Sequence, residues 1–289
     1  IAPAELREGK VQTSGLTSQG GACNTDVVID TVQIRRISLD NELGDLPRGD
    51  EQKLRSSIAW RCFGGEQQQT FAANPFGLPP ATLGMVDGLR ASKAITDCDV
   101  PLAIVYWSAA GLRFIDLWSV RRPLTDRRNN GGSLGLWAGE ATRSLGEMAW
   151  QQFQSQLAQI APTQQKSFVA KTSLQYLPAV GLVPIAETGS ETGFSASQFF
   201  AGLDVGVPLH LDAAWLPTLL QLSLQHAPLA LATPQPLRLY QIHENVVARQ
   251  QGQNWQSLLV FASCSLPPLD NARFGFAHYG PDHFAANFF

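Results

Sequence analysis

The sequence predicts an α+β protein whose antiparallel hairpins form a mixed sheet with helices inserted between them. Two observations carry this. Residues 101–107 and 112–120 are β-rich runs joined by a short small-residue link, and 237–245 and 256–265 form a second such pair around a polar loop. Between the pairs lie segments with apolar residues three and four apart, which read as helices and do not follow a regular strand–helix–strand series.

Taken in order, residues 1–25 are rich in Gly, Ser and Thr and read as an N-terminal arm. Residues 26–280 read as a single α+β domain, with a soft boundary in the Gly/Asn loop at 129–135, and 281–289 as a C-terminal aromatic tail. "DVVIDTVQIRRISL" (26–39) puts β-branched residues on both parities, which predicts a strand buried on much of both faces. "GDEQKLRSSIAWRCFGG" predicts a helix capped by Asp50, with Leu54, Ile58 and Cys62 on one face and Gly64 or Gly65 at its end. "ATLGMVDGLRA" predicts a second, short helix.

In the first hairpin, "PLAIVYW" and "LRFIDLWSV" flank "SAAG". Neither parity of the second strand is cleanly polar, which predicts a central place in the sheet, with Trp107, Phe114 and Trp118 in the core. Residues 139–160 carry the strongest helical pattern, with Leu145, Ala149, Phe153, Leu157 and Ile160 in register. Of these, Leu145 and Phe153 are assigned to the core, and Pro162 stops the helix. "FVAKTSLQYLPAVGLVPIAE" reads as extended and proline-broken, and "ETGFSASQFFAG" as a short capped helix. "LDAAWLPTLLQLSLQ" reads as a helix capped by Asp212, with Pro217 in its first turn. "ARFGFAHYG" alternates and offers a further strand after the second hairpin.

Composition narrows the function classes. The 289-residue chain has a formal charge of −3, so no basic excess exists to neutralise a phosphate backbone and nucleic acid is not an expected partner. Charged residues make up 16%, below the roughly 25% of ordinary soluble domains, and Gln, Asn, Ser and Thr fill the difference. Neutral amides desolvate more cheaply than ions, which suits burial against neighbouring subunits, and lineage bias explains the same numbers equally well. Arg far outnumbers Lys, which stands only at 10, 53, 93, 166 and 171; this too favours interfaces. The four cysteines are scattered, without a CxxC, and read as buried free thiols in a reducing compartment, with a Cys62–Cys98 disulfide as the alternative. No apolar run approaches the ~20 residues of a membrane span. A start at Ile1 implies trimming or processing, and residues before it, including a removed leader, stay open.

Motifs for chemistry are sparse. "NNGGSLGLWAGEA" lacks the phosphate-loop lysine and reads as a spacer. His243-Glu244 is followed by Val247, so the zinc motif HExxH is absent, and His278 and His283 flank a turn-like "YGPD". Neither a GxSxG nor a Ser/His/Asp set stands out, and "RGD" at 48–50 spends its aspartate as a helix cap. Asp97, Asp99 and Asp116 could gather three carboxylates at one hairpin end, as a hydrolase or a ligand-binding module would need. Against this, Asp97 and Asp99 suit a turn, and Asp116 or Asp99 could pair with Arg121 or Arg122. No cofactor or metal is expected. Trp137 and Trp255, on predicted loops, are interface candidates, as are Arg121, Arg122 and the tail residues Phe284, Phe288 and Phe289, which would expose a large apolar patch in water.

The run "SIAWRCFGG…FAANPFGLP…DGLRA…ITDCDVPLAIVYWSAAGLRFIDLWSVRRPLT", then "YLPAVGLVPI" and "SLLVFASCSLPPLDNARFGFAHY", resembles a poorly characterised bacterial family with a DVPLAxxYW…FxDxWxVRR core. The resemblance covers roughly residues 50–280. Pro123 stands where the family often has a third basic residue. The family is associated with gene clusters for phage-tail-like contractile injection systems. The resemblance therefore implies a structural subunit of a multi-protein particle, assembled in the bacterial cytoplasm with copies of itself or other subunits, rather than an enzyme.

Overall fold

A computed structural model describes residues 2–8, 11–12, 23–24, 27–44, 46, 48–66, 84–96, 98–121, 134–186, 192–211, 216–224, 226–233, 236–242 and 257–262. The protein is α+β. Its main sheet has four strands in the order β8 (Val180–Ile185), β12 (Ser257–Ala262), β11 (Arg238–Ile242) and β9 (Leu209–Leu211). The first three pair antiparallel, and β9 joins β11 in parallel, which makes the sheet mixed. The central pair is the second predicted hairpin, β11 with β12.

The first predicted hairpin is not central. It is a separate two-stranded sheet, β5 (Ile104–Ser108) with β6 (Gly111–Asp116). The turn is tighter than the four-residue link: Ser108 pairs with Gly111, whose φ of 105° is in the left-handed region that glycine tolerates. Tyr106 pairs with Phe114 but Trp107 with Leu112, so Arg113 is an extra residue in a bulge. The strand stops at Asp116, short of residue 120, because its Oδ1 turns back to accept from the backbone N–H of Trp118 (2.9 Å) and Ser119 (3.1 Å).

Within the N-terminal segment read as an arm, the described residues are strand. β1 (Ala2–Glu8) pairs antiparallel with β4 (Val27–Gln33), and β2 (Val11–Gln12) with β3 (Cys23–Asn24). The expected double-sided burial of 26–39 is overturned: Val32 is 70% and Ile34 79% exposed. β4 pairs with the single strand β1 instead of entering the main sheet, and among the described residues no element covers Val32 or Ile34.

The helices hold the two parts together. After the short turn α1 (Asp40–Leu43), α2 (Glu51–Cys62) is capped as expected, with Asp50 Oδ1 accepting from the N–H of Gln52 (2.9 Å) and Lys53 (3.1 Å). It is buried nearly all round, not on one stripe: Arg55, Ser56, Ser57, Ala59 and Trp60 are as enclosed as Leu54, Ile58 and Cys62. One side joins a core with α3 (Met85–Ala91), Ile104 and Phe114; the other packs Trp60 and Phe63 around Tyr176, in β7 (Tyr176–Leu177). β7 pairs with β10 (Leu229–Ala230). The long helix α4 (Leu134–Ala158) lies against α2 and the main sheet, with Phe153 at the centre of the largest core and Leu145 partly buried. The turns α5 (Pro162–Gln165), α6 (Ala170–Ser173) and α7 (Ala196–Phe199) wrap that core. In α8 (Leu216–Ser223), Pro217 takes the second position, where its missing N–H costs nothing.

The end of α8 touches the backbone of α4. A Cβ on Gly146 would come within 2.1 Å of the Leu224 carbonyl oxygen. Gly146→Ala, worth about 1 kcal/mol of stabilisation in an open helix, is expected here to destabilise by about 1–3 kcal/mol through overpacking. Urea denaturation reads the sign.

Candidate functional site

The most developed polar arrangement lies between α2, β6 and α4. Asp116, 1% exposed, accepts at Oδ2 from Arg55 Nε (3.4 Å) and Gln152 Nε2 (3.1 Å). The rest of the Arg55 guanidinium donates to Gln159 Oε1 (2.6 Å) and Ser155 Oγ (3.3 Å), with its Cζ 5.7 Å over the Phe114 ring. Gln152 Nε2 also reaches Gln156 Oε1 (3.0 Å), and Gln156 Nε2 donates to Gln52 O (2.8 Å) and Oε1 (2.9 Å). Tyr176 OH donates to Gln152 Oε1 at 2.6 Å. Burial, and secondarily the Asp116 charge, pushes the Tyr176 phenol well above its ordinary value, so it stays a donor.

This arrangement is a structural lock. Both Asp116 oxygens are occupied, and the carboxylate has almost no solvent contact. It also accounts for the amide-rich helix: Gln152 and Gln156 in α4 and Gln159 just past its end step by four and three and face α2, inside the chain. The amides read as suited to neighbouring subunits are spent internally at these positions.

Asp99 has its own, separate arginine. It accepts from Arg35, and from Thr96 N (2.6 Å) and Thr96 Oγ1 (3.1 Å). Asp97 lies outside the described residues. Among the described residues no group of three or more His, Cys, Asp or Glu side chains could hold a metal ion. Asp116 pairs with Arg55 and Asp99 with Arg35; Arg121 lies with its Cζ 5.1 Å over the Trp118 ring, and the expected pairing of Arg122 falls outside the described residues.

The hydrogen bond from the Thr96 backbone holds the Asp99 carboxyl below its ordinary value, with the Thr96 hydroxyl and Arg35 adding to it. A depressed folded value contributes stability above the unfolded value of 3.8, lost as pH falls through the lower folded value. Wild type should therefore lose more stability on acidification below about pH 4 than Asp99→Asn does, as read by urea midpoints across that window.

The surface holds the other notable arrangement. The inner face of the β5–β6 hairpin buries Ile104, Phe114 and Asp116, with the Tyr106 and Phe114 rings 5.4 Å apart. The outer face pairs Val105 with Ile115 and Trp107 with Leu112, exposed by 44%, 43%, 52% and 60%. Trp107 is thus not core, and Trp118 is only half-buried, because α2 and α3 cover one face of the hairpin and no described element covers the other. Arg36, just after β4, places its Cζ 5.6 Å over the Trp107 ring.

Trp137 falls within α4 rather than on a loop, and its side chain is not described. Trp255, Phe284, Phe288, Phe289 and the alternating run "ARFGFAHYG" lie outside the described residues, as do His243, His278 and His283. Cys62 is buried, Cys98 is exposed, and no disulfide joins them. Among the described residues no helix is long and apolar enough to cross a membrane. The chain matches no family model, and neither a curated protein nor a solved structure matches it significantly.

Proposed function

We propose that the chain is a structural subunit of a multi-protein bacterial particle, of the phage-tail-like contractile injection kind, assembled in the cytoplasm with copies of itself or other particle subunits. The observation that carries this reading is the apolar outer face of the β5–β6 hairpin, where Trp107 and Leu112 stand more than half exposed. Single exposed apolar residues are ordinary, but a contiguous strand-borne set with a tryptophan and an arginine on it has the composition of an interface centre. The resemblance of the 96–124 run to a family associated with such gene clusters points the same way. The lock around Asp116 and the separate pairing of Asp99 favour the structural reading over a hydrolase.

The test is incorporation. Particles isolated from a host carrying the tagged chain should contain it, and Trp107→Lys with Ile115→Lys should exclude it while leaving the isolated chain folded. Deleting residues 284–289 should also lower stability or incorporation. Absence of the wild-type chain from every large assembly would overturn the reading, as would undiminished incorporation of both variants.

A further inference from the structure

Seven of the thirteen exposed large apolar side chains among the described residues fall within residues 100–117, in and around the β5–β6 hairpin. From Val100 to Leu112 the sequence holds no charged residue. α2 and α3 cover the inner face of this hairpin, and among the described residues no third strand extends it. A two-stranded sheet covered on one face is half of a two-layer core, and two strands alone are marginal in water. The outer face is therefore the side on which a second layer gains most.

Size argues for what that layer is. Val105, Trp107, Leu112, Ile115 and Leu117, 41–60% exposed, present roughly 500 Å² on one copy. Two such faces laid together bury about 1,000 Å², the size from which a contact becomes specific. Stacked sheets lie ~10 Å apart, a gap that one row of side chains from each fills. Charge does not oppose the contact. Arg113, in the bulge, already holds Glu51 at 2.7 Å, so the pair adds no net charge. Arg36 lies over Trp107, and a planar guanidinium stacks and sheds water more readily than an ammonium. The β1–β4 ribbon matches the hairpin less well than the hairpin matches itself. It splits Leu6 and Ile29 from Val32 onto opposite faces, and it carries Glu5, Arg7, Glu8 and Asp30.

We infer that the outer face of the β5–β6 hairpin packs on the same face of a second copy of this chain, about a two-fold axis. The contact stacks helix, sheet, sheet and helix in four layers, with Trp107 and Leu112 of both copies between the sheets. One patch serves both copies, so the contact closes at a dimer, and growth into a particle proceeds through other surfaces. The inference rests on the reading of this face as an interface and names the partner that the reading leaves open.

The test uses the full chain and two variants, Ile115→Lys and Ile115→Glu, with circular dichroism and urea midpoints to establish that both fold. Leu112→Lys with Leu112→Glu gives the same test at the most exposed position of the face. In sedimentation equilibrium the wild type should pass from monomer to dimer with a Kd of about 1–100 μM, and to nothing larger. Each variant alone should dimerise at least ~30-fold more weakly, the effect of losing a hot-spot side chain. Mixed, the two variants should form a heterodimer at least ~10-fold tighter than either homodimer, because a two-fold contact sets the same patch of both copies together and turns like charges into opposite ones. A wild type that stays monomeric overturns the inference, as does one that grows past a dimer, or a mixture no tighter than the separate variants. A monomer that still enters particles through its hairpin gives the face to a different subunit and leaves the particle reading in place. A hairpin dimer found in no large assembly overturns the particle reading and keeps the inference.

Discussion

Asp116→Ala is expected to cost about 3–5 kcal/mol, because it leaves the Arg55 guanidinium buried without its counter-charge. Arg55 is 3% exposed, so water cannot take over. The same substitution removes the acceptor for the N–H groups of Trp118 and Ser119 and one partner of Gln152, so the end of β6 and the face of α4 loosen together. Asp116→Asn keeps the size and the turn acceptor and should recover part of the loss. Replacing Arg55 and Asp116 together by apolar residues of similar volume should cost less than the sum of the single changes, since a buried pair contributes far less than the penalty for breaking it. Urea denaturation of the four proteins measures the cycle, and a fully stable Asp116→Ala protein would show that the carboxylate is not locking the fold.

The second large effect lies in the main sheet. Phe261 is fully buried, and its ring meets Phe153 edge-on at 5.5 Å and Phe200 at 6.0 Å. Across the ladder it pairs with Gly181, where an added Cβ would come within 2.3 Å of the Phe261 ring. The ring occupies the space that a side chain at 181 would take. Phe261→Ala should therefore cost about 3–5 kcal/mol, transfer and cavity terms together. Gly181→Ala should be harmful in the wild type and much less so beside Phe261→Ala, because the clash and the cavity share one volume. Equal effects of Gly181→Ala in both backgrounds would contradict the packing described.

Local signals in the sequence reached the fold where the cause is local. Asp50 caps its helix and Pro162 follows the end of α4, because these signals act within a few residues, and the second apolar pair is found paired as β11 with β12. The lock was not legible, since the bonds that matter join residue 116 to 55 and to 152, far apart along the chain. The available hint was the step of Gln152, Gln156 and Gln159 by four and three opposite an arginine followed by two serines. The hairpin was misplaced for a related reason. Two apolar parities are compatible with a strand covered on both faces and equally with one covered by helices and left open for something else. β9 escaped because three residues in parallel pairing with β11 are too few to show a period. The 1–25 segment was read from its Gly and Ser content, yet Ala2–Glu8 finds a strand partner in Val27–Gln33 that composition does not reveal.

The order of strands in the main sheet bears on how the molecule is made. β12 sits between β8 and β11, yet it comes last of the four along the chain, and β8 ends at Ile185 while its neighbour begins at Ser257. A nascent chain leaving the ribosome can close the core around α2, α3 and the first hairpin once residue 120 has emerged, since every member of that core has then appeared. The sheet has no such early route. Val180 and Val183 on one side and Leu239 and Ile242 on the other remain without the strand that separates them until Ala262 is synthesised. Long-range pairing of this kind is slow, and open strand edges invite wrong partners in the interval. Translation thus leaves a folded front half carrying an unsealed back half, for which chaperone capture is the natural safeguard.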